Sequence, residues 1–210
     1  MQQLGILLLF TFCAAFFASL PPGLLNLNAA KTSVEKGKAN GVIFGLGVAI
    51  MVMLQTYLAV RIAKYLLQNP DVVGMLLKVA LLVFAILAIF FFVKAKKLDN
   101  QPLEFVASKK RSSFSKGLFL AAINLLTVPF YSGLNTIFHT QGFMNYKVVD
   151  EVVFIVAAGT GTFLAMYLYV FYFNKMERKT NRFSKNSNYI LSALMVILFI
   201  ITSIRLFNQS

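Results

Sequence analysis

The chain has 210 residues, 59% of them hydrophobic and 13% charged, with a formal net charge of +13 and a single cysteine, Cys13. Soluble domains average roughly 45–50% apolar and about 25% charged, so this composition points to an integral membrane protein. It excludes an internal disulfide, and it excludes nucleic acid as the reason for the charge, because the lysines and arginines lie in short segments between apolar runs, where they set topology.

The first thirty residues carry no charged side chain until Lys31. No Lys or Arg precedes the apolar run and no A-x-A site closes it, so it is expected to be a retained first span rather than a cleaved signal. Inside it, Ser19-Leu20-Pro21-Pro22-Gly23-Leu24-Leu25-Asn26-Leu27-Asn28 interrupts a helix. Proline removes a backbone donor and clashes with the carbonyl one turn back. In lipid, freed backbone groups survive only where protein or a water-filled cavity satisfies them, so the break predicts a site within the membrane.

Crossing the hydrocarbon takes about 20 apolar residues. Six stretches qualify: 4–30 (broken), 40–60, 72–93, 117–138, 152–173 and 189–207. Three of the segments between them hold fifteen of the 20 basic residues: Lys31, Lys36 and Lys38; Lys94, Lys96, Lys97, Lys109, Lys110, Arg111 and Lys116; Lys175, Arg178, Lys179, Arg182 and Lys185. That bias places these segments in the cytoplasm and both termini outside. The polar stretch 94–116 reads as a linker, with anionic-headgroup binding as the alternative.

The predicted fold is an all-α membrane protein of six transmembrane helices. It comprises two inverted three-helix repeats, 1–98 and 117–210, joined by a basic cytoplasmic linker over 99–116, with helices one and four broken near the midplane. Gly45-Leu46-Gly47 in span two is followed by Tyr57, and Gly159-Thr160-Gly161 in span five by Tyr169. Small residues there also let helices approach closely. Span four repeats the interruption: Asn124-Leu125-Leu126-Thr127-Val128-Pro129. Pro22 and Pro129 lie nine and thirteen residues from Lys31 and Lys116, about 14–20 Å along a helix. Matched discontinuities in corresponding helices are a pointer to a transporter site.

At these residues the chain resembles the LysE-type superfamily of small exporters, which includes the lysine exporter and RhtB-like amino-acid efflux proteins. The resemblance rests on Pro21-Pro22-Gly23, Lys31, Gly37, Gly41, Gly45 and Gly47 in the first half, and on Asn124 through Phe130 in the second. It implies six spans and export of amino acids or related metabolites. Leu24 stands where the family's second proline would be, and four residues separate Asn124 from Pro129. The stretch after the span-two glycines, Val48-Ala49-Ile50-Met51, lacks the family's aspartate. The absent carboxylate counts against a cationic substrate and against the usual means of proton coupling.

Polar groups inside the membrane are the candidates for function: Asn26, Asn28, Gln55, Asn124, Thr127, Asn135, Thr160 and Thr162. The substrate-binding set expected is Pro22, Gly23, Asn26, Asn124, Thr127 and Pro129. For Gln55, Thr160 and Thr162, interhelical hydrogen bonding is the plainer reading. Amides suit zwitterions or neutral polar solutes, and backbone amides at a new helix start favour an anion. Lys78 and Arg205 read as snorkelling cations. For His139 a surface position and a proton-coupling role both stand open. Asp150 and Glu151 read as boundary charges.

No cofactor, metal or enzyme motif is present: no H-E-x-x-H, Walker loop or G-x-S-x-G. The expected partners are a small-molecule substrate and the lipid bilayer of the inner (plasma) membrane. A homodimer is admitted, with no legible interface beyond scattered Gly and Ala. A secondary transporter is the leading expectation, and a non-transporting polytopic scaffold or assembly component is its alternative.

Overall fold

A computed structural model describes residues 2–21, 23–69, 72, 82, 85, 86, 88–90, 92, 93, 113–124 and 126–207, with the backbone alone over 173–191 and for part of the helix beyond. Pro22, Lys78, the linker over 94–112 and the side chain of Arg205 lie outside this set, and so do the expectations placed on them. Among the described residues the helices with defined bounds are α1 (Gln2–Ser19), α2 (Leu24–Lys36), α3 (Lys38–Gln68), α4 (Ser113–Ala122), α5 (Thr127–Thr140) and α6 (Val148–Phe207). Every described residue between 82 and 93 is helical, and no strand occurs among the described residues.

The break in the first span falls where the prolines predict it, between Ser19 and Leu24. The 18 residues of α1 measure about 27 Å, nearly a hydrocarbon thickness, and α2 adds 13 more. Gly37, at φ 88°, ends α2 in a conformation that L side chains avoid, and α3 starts at once. Helix α3 buries Gly41, Phe44, Gly45, Val48, Val52, Gln55, Thr56 and Ala59 along one stripe. Its opposite face exposes Ile43, Leu46, Ile50, Leu54, Leu58 and Ile62. An apolar face of that length, with the small and polar residues turned inward, fits lipid outside and protein inside.

The second break precedes its expected marker. Helix α4 ends at Ala122 and α5 begins at Thr127, with a bend of 67° between them. Pro129 is the third residue of α5. A helix leaves its first four N–H groups without intrahelical partners, so the missing donor of Pro129 disrupts nothing there. The interruption lies at 123–126, and the proline opens the second half-helix.

The polar stretch 174–188, expected as a loop between spans five and six, is helical. It holds neither glycine nor proline, and α6 continues through it. Within α6, Val148–Tyr172 is by itself apolar and long enough to cross a membrane, as are α1 and α3, and the bent pair α4–α5 makes a fourth candidate.

By contact the chain divides into two units that each draw on both halves of the sequence: Met1–Tyr65 with Val106–Glu177, and Leu66–Phe105 with Arg178–Ser210. In the second, the Ser192 hydroxyl donates to the Ala88 carbonyl at 3.0 Å. In the first, α2 packs on α4, and the glycine pairs explain the packing of α3 and α6. A Cβ at Gly47 would collide with the Phe114 carbonyl oxygen and press on Leu118 N, both in α4. A Cβ at Gly161 would collide with the Phe12 carbonyl oxygen and press on Phe16 N, both in α1. The other member of each pair faces the opposite helix: Gly45 meets Met166 of α6, and Gly159 meets Met53 of α3. Gly117 of α4 returns the contact on the Phe44 backbone. Each glycine pair therefore performs the same two tasks, one against the first span of the other half and one against its second.

Candidate functional site

Breaking a helix leaves carbonyls at the end of the first piece and N–H groups at the start of the second without partners. The structure shows what takes up each. At the first break, the Asn26 side-chain amide donates to the Ser19 carbonyl at 2.7 Å and to the Pro21 carbonyl at 2.8 Å. The Tyr169 hydroxyl, reaching from α6, donates to the Leu20 carbonyl at 2.7 Å. Three successive orphan acceptors at 19–21 are thereby satisfied. Tyr169 also lies against the Asn26 side chain. The Ser19 hydroxyl points to Thr162 of α6 at 3.4 Å, and Tyr131 of α5 lies beside that threonine.

At the second break, the donor is Gln55 of α3. Its Nε2 reaches the Ala121 carbonyl at 3.1 Å and the Asn124 carbonyl at 3.3 Å. Gln55 is buried and its Oε1 has no partner among the described residues. Gln55 thus makes the interhelical hydrogen bonds that the plainer reading of this residue anticipates.

The starts of the second pieces share one feature. Gly23 caps α2 with φ −135° and ψ −178°, extended backbone open to any residue, and Leu126 caps α5; neither end has a side-chain cap. The start of α2 thus keeps its N–H groups without a side-chain cap, an arrangement with a positive bias, whereas at the start of α5 the Thr127 N–H goes to the Asn124 carbonyl and Pro129 has none.

Of the expected site residues, Gly23 and Asn26 border the first break and Asn124, Thr127 and Pro129 border the second. Asn26 is buried and both its amide hydrogens are committed to backbone carbonyls. Asn124 is exposed, and only its backbone is engaged, accepting from Gln55 and from Thr127 N. Thr127 is buried and Pro129 exposed. Asn28 donates to the Leu24 carbonyl within α2 at 2.8 Å. Thr160 is exposed and bonds back into its own helix. Asn135 is fully buried on the face of α5 that carries Tyr131, and neither side-chain polar atom has a partner among the described residues.

Tyr169 was legible only as a marker of the repeat, set against Tyr57. The structure pairs it with Gln55 instead. Each lies ten residues after the first glycine of its pair, Gly159 and Gly45. Counting from that glycine would have found it.

A second polar cluster lies where α3, α5 and α6 end or begin. Arg61 forms an ion pair with Glu151, which is buried, as is Asp150. Asp150 accepts from Asn145 N at 3.0 Å. These carboxylates open α6, where the helix dipole favours them, and they are packed rather than solvated boundary charges. His139 Nδ1 lies 2.7 Å from the Met144 carbonyl, which only accepts, so that nitrogen carries the proton. The Tyr146 ring lies tilted against that of His139 with centroids 4.9 Å apart, and its hydroxyl is buried with no partner among the described residues. Burial, with the nearby Glu151 charge second, pushes the Tyr146 phenol up to about 12.

Among the described residues no group of acidic, histidine or cysteine side chains could hold a metal ion. What remains is a helical membrane protein with two polar features among the described residues, a pair of broken helices and the Arg61–Glu151 cluster. Residues 16–205 match the family model of the LysE type translocator, and the chain belongs to that family. No curated protein and no solved structure matches it significantly.

Proposed function

We propose that this translocator is a secondary transporter that exports amino acids or related small metabolites across the inner membrane by alternating access. The observation that carries the proposal is the pair of broken helices whose carbonyl ends are occupied by side chains from within and across the halves, while the start of α2 has no side-chain cap. Such a start suits the carboxylate of an amino acid or another anionic group. The reciprocal contacts of Gly45, Gly47, Gly159 and Gly161 support two inverted repeats that rock against each other. Six spans, cytoplasmic basic segments and outside termini follow from the distribution of apolar runs and lysines. The direction of transport rests on the family alone.

In this scheme the solute meets the backbone start of α2 near Gly23 and, beside Thr127 at the start of α5, the Asn124 side-chain amide. Asn26 supports the first break from behind. Asn124→Leu is expected to abolish solute efflux from reconstituted vesicles loaded with a labelled amino-acid mixture, with membrane insertion intact. Efflux equal to the parent protein's would overturn the assignment of Asn124. Comparing metabolites in medium from overexpressing and deletion cells would identify the solute.

A further inference from the structure

We infer that Gln55 and Tyr169 are a symmetry-related pair of positioning residues, each holding the helix break of the opposite half of the chain. The inference rests on the transporter reading for its purpose, but its geometry stands alone. Gly45-Leu46-Gly47 and Gly159-Thr160-Gly161 set the register of α3 and α6 against the first spans. Gly47 sits on Phe114 and Leu118, and Gly161 on Phe12 and Phe16, so the contacted residues are four apart in both. Moving about two turns along from these crossings brings the same event in each half. From Phe12 the chain reaches Leu20, whose carbonyl takes the Tyr169 hydroxyl. From Phe114 it reaches Ala121 and Asn124, whose carbonyls take the Gln55 amide. Gln55 and Tyr169 occupy identical places, ten residues beyond Gly45 and Gly159.

Two side chains of different chemistry thus meet the same requirement. A carbonyl with an unmet lone pair in a nonpolar surround is costly, and a donor supplied from the other half removes that cost only while the two halves keep this alignment. The Leu20 carbonyl has no other donor among the described residues, while those of Ala121 and Asn124 also accept from Asn124 N and Thr127 N, so each break is best satisfied in one mutual placement of the repeats. The two donors, the Tyr169 hydroxyl and the Gln55 Nε2, are already engaged at the breaks.

Hydrogen–deuterium exchange of the intact protein in lipid nanodiscs tests this without any solute, so its outcome is independent of whether transport is found. Tyr169→Phe removes only the hydroxyl, and Gln55→Met only the amide at similar length. The first is expected to speed exchange in segment 18–27 several-fold and leave 121–130 unchanged. The second is expected to do the reverse. Tyr169→Gln, which installs the amide its counterpart uses, should restore protection of 18–27. Exchange that rises in both segments alike, that fails to rise in either, or that is as fast in Tyr169→Gln as in Tyr169→Phe overturns the inference.

Discussion

The two helix breaks solve one problem with unequal means. At the first, Pro21 and Pro22 prevent helix outright, and the orphan carbonyls are shared between Asn26 from the same span and Tyr169 from α6. At the second, no proline lies in the interruption, and among the described residues Gln55 is the one side chain bonded to its carbonyls. The first break is built into the covalent chain and doubly supported. The second is held by its own short-range backbone bonds, Asn124 N to the Ala121 carbonyl and Thr127 N to the Asn124 carbonyl, with Gln55 added from the other half. If the halves move against each other, both breaks lose a donor, and the Leu20 carbonyl is the one left without another among the described residues.

That contrast can be broken most severely at the glycine crossings both breaks rely on. Gly47→Val and Gly161→Val each push a side chain into a neighbouring backbone, which cannot yield as a flexible side chain would. Both should lose ~3 kcal/mol or more and most of the folded protein, measured by thermal unfolding in detergent with size-exclusion recovery. A tolerated Gly161→Val beside a lethal Gly47→Val would show that the correspondence between the two crossings is only formal.

Tyr169→Phe strands the Leu20 carbonyl, which has no other donor among the described residues, so it should cost about 1–3 kcal/mol in the same measurement. Gln55→Met leaves both of its carbonyls a backbone donor, Asn124 N for Ala121 and Thr127 N for Asn124, so its cost should be smaller, about 0.5–1.5 kcal/mol. Equal losses would remove the difference in support between the breaks. Pro129→Ala should change stability by less than about 1 kcal/mol, because the proline lies in the first turn of α5 and not in the break. A large loss would return the interruption to the proline.

The smallest expected effect lies away from the breaks, at Tyr146. Its phenol holds its proton to about pH 12 in the folded protein, whereas an unfolded tyrosine releases it near pH 10. The native state therefore binds the proton more tightly, and this contribution is complete below pH 10 and lost as pH rises towards 12. The melting temperature should fall over that window, and Tyr146→Phe should flatten the fall. An unchanged slope would mean the hydroxyl is hydrated in the native state.

Much of this arrangement was visible in the sequence. Pro21-Pro22-Gly23 located the first break to the residue, because proline acts on the backbone locally and needs no tertiary context. The second was located within a few residues, but from Pro129, which turned out to start the following helix. The glycine pairs were recognisable as a motif. Their partners were not, since a glycine says only that something comes close and not what. Gln55 and Tyr169 share no chemistry beyond one donor, so similarity of residue type led to Tyr57. Position relative to the glycines is what carried the equivalence. The helical course of 174–188 was missed because charge density was read as loop, although nothing in that stretch stops a helix.

The Arg61–Glu151 pair has a consequence for how the protein sits in its bilayer. Between Lys38 and Arg61, α3 carries 22 residues without a charged side chain, about 33 Å, close to the thickness of the hydrocarbon. Glu151 closes the uncharged stretch of α6 at the same level as Arg61 closes that of α3. One ion pair thus sets a common waterline for two helices, and a bilayer markedly thinner or thicker than that spacing would have to tilt both together.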